Sequence, residues 1–314
     1  MKSFVPDDVA LASFPAPERI ALHPLSLHHR LDSEVDGATK LLFRTQAGLL
    51  TESVVLRIAT GRSTLCVSSQ VGCAAACSFC ATGKMGLARN LSAAEILDQV
   101  STAGQILATE QRRLRNVVFM GMGEPFHNEE ALWPALTALV DPAWFQLSPH
   151  KIMVSTVGVI EGMLRFGERF PQMGLALSLH SARQEVRERL IPLAKKYPLS
   201  ALRRAIVELN RMQDRPVMLE YLMLEGLTDA EDDLAALVEW TERLEVHINL
   251  IPYNPIEGAP GLTGTPLVAC TAFAARLKAT GRTATVRRSL GGDIEAACGQ
   301  LVRRENLALV RARP

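Results

Sequence analysis

The stretch Cys73-Ala-Ala-Ala-Cys77-Ser-Phe-Cys80 places three cysteines at the spacing C-x3-C-x2-C. A loop this short can turn three thiolates toward one point, and soft thiolates select iron–sulfur clusters or zinc. A four-iron cluster held by three cysteines keeps one iron open to a substrate or cofactor, which favours chemistry over a structural role. The spacing alone leaves two alternatives: a zinc site completed by a distant histidine, or a redox-active C-x-x-C pair.

Composition limits the class of protein. The chain has 314 residues, of which 48% are hydrophobic, so it can bury a sizeable core. The net charge of +1 does not by itself call for a nucleic-acid partner. The N-terminus, Met-Lys-Ser-Phe-Val-Pro-Asp-Asp, lacks the apolar run of a signal peptide, and no stretch reaches the ~18 apolar residues of a membrane span. We therefore expect a soluble, cytoplasmic protein that does not bind membranes and keeps its cysteines reduced.

Short apolar runs alternate with helical patterns, which predicts a parallel sheet covered by helices. Residues 40–57 look like two strands joined at Gly48. The further predicted strands are Thr64–Ser68, Asn116–Met120, Lys151–Ser155, Gly174–Leu179, Val217–Met223, Val246–Ile251 and Thr283–Arg288. Because an eight-fold barrel needs about 250 residues and eight strands, these strands indicate the α/β class with a partial (β/α)6-type barrel and a small N-terminal β extension.

The predicted domain organisation follows from the same patterns. Residues 1–35 contain four prolines and are expected to form an irregular arm. Residues 36–62 would form the β extension, and residues 63–314 the partial-barrel catalytic domain. A helix is expected after residue 92, because Ser92 and Glu95 have the spacing of a capping box.

A glycine and several polar residues follow the predicted strands at the points where the strands end. They are Gly123, Glu124, Ser155, Ser178, His180 and Asn254. In barrel folds the carboxyl ends of the strands form the active-site face, so we expect these residues on one rim with the cysteine loop. Each signal is weak alone, since a glycine after a strand usually marks a turn and a lone histidine is usually structural. Their shared location suggests a binding site for a ligand with amino, carboxylate and ribose groups.

Six sequence blocks resemble the RlmN/Cfr family of RNA adenosine methyltransferases, which are radical S-adenosylmethionine (SAM) enzymes. The blocks are Thr64–Cys73, Val117–Pro125, Val154–Gly158, Ser178–His180, Asn249–Pro255 and Asp293–Leu301. The resemblance covers roughly residues 25–305 in the same order, and it implies that Cys73, Cys77 and Cys80 bind a [4Fe-4S] cluster whose open iron chelates SAM. It also implies SAM contacts at Gly123, Glu124, Ser155, Ser178, Leu179, His180 and Asn254.

The resemblance further implies three catalytic residues. Cys298 would become S-methylated by one SAM, and a second SAM would be cleaved to a 5′-deoxyadenosyl radical that activates this methyl group. Cys66 would then form a transient disulfide with Cys298 to release the product. Glu52 matches the family's proton acceptor, although it lies one residue further upstream of Cys66 than expected. Cys270 matches nothing in the family, and we interpret it as a buried core residue.

The implied substrate is an adenosine carbon, C2, in 23S rRNA or also tRNA, with the target base extruded from its stack. An electron donor such as flavodoxin or ferredoxin and a monomeric state are expected. Residues 1–35 are too few for the family's helical N-terminal domain, so the substrate is less well defined than the chemistry. The alternatives are a C8-specific, Cfr-like enzyme, a radical enzyme acting on another RNA or a small molecule, and a non-enzymatic RNA-binding module that holds a cluster or zinc.

Overall fold

The computed structural model describes residues 23–257, 259 and 261–301. The described strands are β1 (Leu25–Asp32), β2 (Ala38–Thr45), β3 (Leu50–Arg57), β4 (Ser63–Cys66), β5 (Gln70–Cys73), β6 (Gly86–Asn90), β7 (Leu114–Phe119), β8 (Ile152–Thr156), β9 (Gly174–Ser178), β10 (Val217–Met223), β11 (Val246–Pro252) and β12 (Thr283–Val286). Ten of them form the main sheet in the order β1-β2-β3-β4-β7-β8-β9-β10-β11-β12, and β5 and β6 form a separate pair. The helices are α1 (Ala81–Met85), α2 (Ala93–Thr109), α3 (Glu129–Val140), α4 (Ile160–Arg169), α5 (Gln184–Leu190), α6 (Leu199–Met212), α7 (Glu231–Trp240) and α8 (Leu267–Ala279).

Seven strands of the main sheet, β4 and β7 to β12, pair in parallel with their neighbours. At least one helix lies between each consecutive pair of these strands along the chain. This arrangement confirms the α/β class and the partial barrel of six strand–helix units followed by a last strand. It also brings the carboxyl ends of the parallel strands, where the chemistry-bearing residues lie, to one edge of the sheet.

The N-terminal extension is larger than the sequence indicates. Residues 25–32, within the range expected to be irregular, form β1, which pairs antiparallel with β2. This strand lies at the edge of the sheet and exposes most of its side chains, so it lacks the apolar alternation that marks a half-buried strand. Since β3 also pairs antiparallel with β4, the extension continues directly into the barrel sheet. Residues 1–22 of the expected arm lie outside the described residues.

Helix α2 shows how local sequence fixes the elements around the site. The Ser92 side chain accepts a hydrogen bond from the Glu95 amide, and the Glu95 carboxylate accepts one from the Ser92 amide, which completes the predicted capping box. The helix then buries Ile96, Val100 and Leu107 against the sheet. None of the described helices has both the length and the apolar character needed to cross a membrane.

Candidate active site

The three clustered cysteines follow the first parallel strand. Cys73 ends β5, and Cys77 and Cys80 lie in the turn before α1. The loop is fixed to α5, because the Ser78 amide donates to the Leu190 carbonyl at 2.9 Å. All three thiols are free and line one cavity. Among the described residues, no group of three or more Cys, His, Asp or Glu side chains is arranged to hold a metal ion.

Most of the predicted SAM contacts line the same cavity as the cysteines. Gly123, Glu124, Ser155, Ser178 and His180 lie on its wall, together with Cys298. Two predicted contacts do not. Leu179 is fully buried in the main core, and its amide donates to the carbonyls of Leu177 and Glu220. Asn254 lies beside the cavity and contacts the Cys298 segment instead.

Glu124 is held in one orientation by the backbone. Its Oε1 accepts a hydrogen bond from the Phe126 amide at 3.1 Å, and its Oε2 accepts one from the Val157 amide at 2.8 Å. Burial raises the pKa of this carboxyl to about 7. The preceding residue, Gly123, has a φ of 103°, and a Cβ there would lie 2.6 Å from the Cβ of Gln70. Glycine is therefore required where the chain turns to present Glu124 to the cavity.

His180 is oriented as a neutral imidazole. Its Nδ1 faces the Leu222 amide at 3.2 Å, so Nδ1 accepts this hydrogen bond and Nε2 carries the proton. Burial, reinforced by the charge of Arg187, lowers the pKa of His180 to about 3. The ring of Phe79 meets the imidazole edge to face with centroids 4.6 Å apart, which ties the cysteine loop to the end of β9.

Arg187, on α5, is a residue of this region that the sequence analysis did not identify. Its side chain is fully buried, and its Nη2 donates to the carbonyls of Val157 at 2.7 Å and Ser178 at 3.4 Å. Burial lowers the pKa of Arg187 to about 10, so the side chain is charged at neutral pH. The helical period gives one usable signal, because it places this charge between Val186 and Leu190 on the apolar face of α5.

Cys298 is carried to the cysteine loop by the segment that follows β12. The Gly299 carbonyl accepts from the Ala81 amide at 2.7 Å, and the Leu301 carbonyl accepts from the Thr82 hydroxyl. The Asn254 side chain donates to the Cys298 carbonyl at 3.2 Å. These contacts hold a residue more than 200 positions away from Cys80 at the wall of the same cavity.

A second cavity adjoins the first, and Cys298 lines both. Cys66, at the end of β4, lines only the second one. Burial raises the pKa of the Cys66 thiol to about 12, while the charge of Arg287 opposes that shift. Arg287 lines both cavities, and Arg62 and Arg288 line the second. The structure thus brings Cys66 and Cys298 to one space with three guanidinium groups on its walls.

Glu52 is placed less favourably for a catalytic role. It lies on β3, is fully buried, and shares a face of the sheet with Val54, since alternate residues of a strand point the same way. Val54 lines the second cavity, whereas Glu52 does not line either one. Its backbone carbonyl accepts from the Ser68 hydroxyl at 2.5 Å, which fixes β3 against the start of the cysteine loop.

Comparisons with known proteins agree with this geometry. Residues 67–238 match the model of the Radical SAM superfamily. A probable RNA methyltransferase of Rhodopirellula baltica is 58% identical over 306 residues, which are 98% of this chain and 81% of that protein. A probable dual-specificity RNA methyltransferase RlmN of Thermus thermophilus is 42% identical over 266 residues, which are 85% of this chain and 74% of that protein. The crystal structure of a radical SAM methyltransferase from Sphaerobacter thermophilus matches with a TM-score of 0.90 at 38% identity, over 94% of this chain and 88% of that one.

The chain belongs to the RlmN family of radical SAM RNA methyltransferases. It is therefore an enzyme that transfers methyl groups, and the family implies an iron–sulfur cluster and SAM. The residues of this RlmN-family chain fit both groups. Burial raises the pKa of the Cys73 thiol to about 12, so a cationic centre is needed to hold it as a thiolate. The cavity also offers the fixed carboxylate of Glu124 to a cationic amino group.

Proposed function

We propose that this enzyme methylates carbon C2 of an adenosine in 23S rRNA, with tRNA as a second candidate substrate, through an S-methylated Cys298. The observation that carries the proposal is that Cys298 lines both cavities, because a carrier of a methyl group must face its donor and its acceptor in turn. The cavity with the three clustered cysteines fits the cluster and SAM. The cavity with Cys66 fits the target base.

In this proposal the residues of the first cavity have separate roles. Cys73, Cys77 and Cys80 would hold the [4Fe-4S] cluster, which would supply the electron for the cleavage of SAM. Glu124 accepts hydrogen bonds from the amino group of SAM, and the backbone at Gly123 gives that group room to approach. Ser155, Ser178 and His180 offer hydrogen bonds to its carboxylate and ribose. Two molecules of SAM are consumed in each turnover.

The two further cysteines answer a chemical problem. The adenine C2 carbon is not nucleophilic, so it cannot displace the methyl group of a sulfonium directly. The Cys298 thiolate can, since thiolates are good nucleophiles. The methyl group on sulfur would then lose one hydrogen atom to the 5′-deoxyadenosyl radical derived from SAM, and its carbon would add to the ring. The adduct would lose the ring proton and one electron, which the oxidised cluster could take back. Cys66 would attack the Cys298 sulfur as a thiolate, the sulfur–carbon bond would break, and the released carbon would take up a proton, which gives methyladenosine and a Cys66–Cys298 disulfide.

The walls of the second cavity support a polyanionic substrate. Arg62, Arg287 and Arg288 line it, and none of its described lining residues is acidic. Arg62 and Arg288 are exposed, which suits contacts with the phosphates that flank an extruded nucleotide. The chain would act in the cytoplasm as a monomer, with flavodoxin or ferredoxin as the external electron donor.

Product analysis tests this function. Anaerobically reconstituted enzyme is incubated with SAM, a reductant and RNA from a strain that lacks the activity, and the nucleosides are analysed by mass spectrometry. We expect 2-methyladenosine from the wild type and from Cys270→Ala, whose buried thiol on α8 lies outside both cavities. We expect none from Cys298→Ala despite an intact cluster. An 8-methyladenosine product would instead establish C8 chemistry, and turnover by Cys298→Ala would contradict the proposed intermediate.

A further inference from the structure

Arg187 has hydrogen-bonding capacity that the fold does not use. Its Nη2 is engaged by the carbonyls of Val157 and Ser178, but its buried Nε and Nη1 have no hydrogen-bond partner among the described residues. Leaving donors of a charged group buried and unsatisfied is costly. None of the described acidic side chains forms an ion pair with this arginine. The position therefore costs stability unless another anionic group lies nearby.

The surroundings identify the anionic group. The same apolar cluster that buries Val186 and Leu190, the neighbours of Arg187 on α5, contains Cys73 and Cys77. The two residues whose carbonyls accept hydrogen bonds from Arg187, Val157 and Ser178, line the cavity of the three cysteines. The cysteine loop is also bonded directly to the end of α5 through Ser78 and Leu190. The guanidinium therefore lies behind the wall of the cysteine cavity, although Arg187 does not itself line that cavity.

We propose that Arg187 is a positioning residue for the iron–sulfur cluster, whose charge stabilises the reduced cluster and raises its reduction potential. The guanidinium would act through its charge from behind the cavity wall, without touching the cluster. Reduction adds one electron from the external donor to the cluster, with no bond broken in the protein, so the total charge becomes more negative by one. A buried cation near the cluster favours that change.

The magnitude follows from the burial of the charge. At the effective dielectric of a protein interior, one unit charge several Å away changes an equilibrium constant by roughly tenfold or more. We therefore expect Arg187→Gln to lower the ratio of reduced to oxidised cluster at a fixed ambient potential by at least tenfold, which is about 59 mV for a one-electron couple. Arg187→Lys keeps the charge and should stay within about threefold of the wild type.

The matched control is Arg189→Gln. Arg189 lies on the same helix two residues away, but its side chain is exposed, so water screens its charge. Each full-length protein is reconstituted with iron and sulfide, checked for iron content, and titrated with titanium(III) citrate while the reduced cluster is followed by electron paramagnetic resonance. No SAM or RNA is present, so the result is independent of the proposed substrate. The control should match the wild type.

Several outcomes would overturn the proposal. One is an Arg187→Gln cluster that loads fully and has the potential of the wild type. Another is an unchanged potential together with a loss of SAM affinity in a separate equilibrium dialysis of the reconstituted Arg187→Gln protein, which would assign the arginine to the carboxylate of SAM. If the glutamine variant does not retain iron, Arg187→Lys decides: the proposal requires it to load and to keep the wild-type potential, and a tenfold deficit in a loaded lysine variant would contradict it.

Discussion

Replacing Asn254 with alanine would remove two hydrogen bonds from the segment that carries Cys298. The amide Nδ2 donates to the Cys298 carbonyl and to the Ser289 hydroxyl, both at 3.2 Å. Neutral hydrogen bonds at this distance contribute about 1 kcal/mol each, so the pair stabilises the placement of Cys298 by about 2 kcal/mol. Since 1.36 kcal/mol is a factor of ten in rate, methyl transfer to Cys298 should slow about 30-fold in Asn254→Ala.

The assay separates this role from the SAM contact that the family pattern assigns to Asn254. We would measure the single-turnover rate of S-methylation in the Cys298 peptide by mass spectrometry, and the affinity for SAM by equilibrium binding. A positioning role predicts the slower rate with SAM affinity within about twofold of wild type. Asn210→Ala is the matched control, because the hydrogen bond from its amide to the Glu245 carbonyl lies outside both cavities. A large loss of SAM affinity with normal methylation at saturating SAM would refute the reasoning.

Three further predictions follow from other contacts. Burial alone would raise the pKa of Glu95, but hydrogen bonds from Arg89 and the capping box lower it overall. The interactions of the ionised carboxylate therefore stabilise the fold above the ordinary pKa of 4.5, and this stabilisation is lost as the pH falls below that value. Glu95→Gln should therefore lower the urea midpoint at pH 7, and a difference from wild type that persists unchanged below pH 4 would contradict this. Gly123→Ala should lose SAM binding, because its φ of 103° and the contact with Gln70 exclude a side chain; unaltered binding in equilibrium dialysis would show that the loop adapts. Arg62→Gln combined with Arg288→Gln should raise the KM for RNA at least tenfold with little effect on SAM-dependent methylation of Cys298, whereas an unchanged KM would remove the second cavity as the RNA site.

Local signals in the sequence were sufficient for the parallel strands and for the capped helix α2. The strands are short apolar runs, and the cap depends on two residues three positions apart. Helices α3 and α4 are not visible in the same way. Pro134 lies inside α3, and α4 contains Gly162 and Gly167, all of which read as helix breakers.

The glycines of α4 have a tertiary reason. A Cβ on Gly162 would lie 2.6 Å from the Cβ of Phe126, and one on Gly167 would lie 2.6 Å from a methyl group of Leu209. These glycines allow close packing of α4 against its neighbours, and that need appears only when the elements are assembled. The edge strand β1 was missed for a related reason, because its side chains are mostly exposed and do not alternate between apolar and polar residues.

The residues of the candidate site also differ in whether local sequence signals predict them. The shared cavity of the three clustered cysteines and the residues at the ends of the strands could be predicted from motifs and topology. The second cavity could not, since it depends on contacts between segments far apart in the chain, such as the Gly299 carbonyl against Ala81. For Arg187 the only signal is its position on the apolar face of α5, and the contacts with Val157 and Ser178 appear only in the folded chain. Asn254 was found from its motif, but its observed contact is with Cys298.

The isotope content of the product tests the central proposal, methyl transfer through Cys298, most directly. The enzyme is run for many turnovers on RNA with SAM whose methyl group carries three deuterium atoms, and the mass of the methylated adenosine is measured by mass spectrometry. The account predicts two deuterium atoms in the product methyl group and one in 5′-deoxyadenosine, because one is removed while the carbon is bound to Cys298. Three deuterium atoms in the product would mean that the intact methyl group had moved directly, and the role of Cys298 as carrier would be wrong.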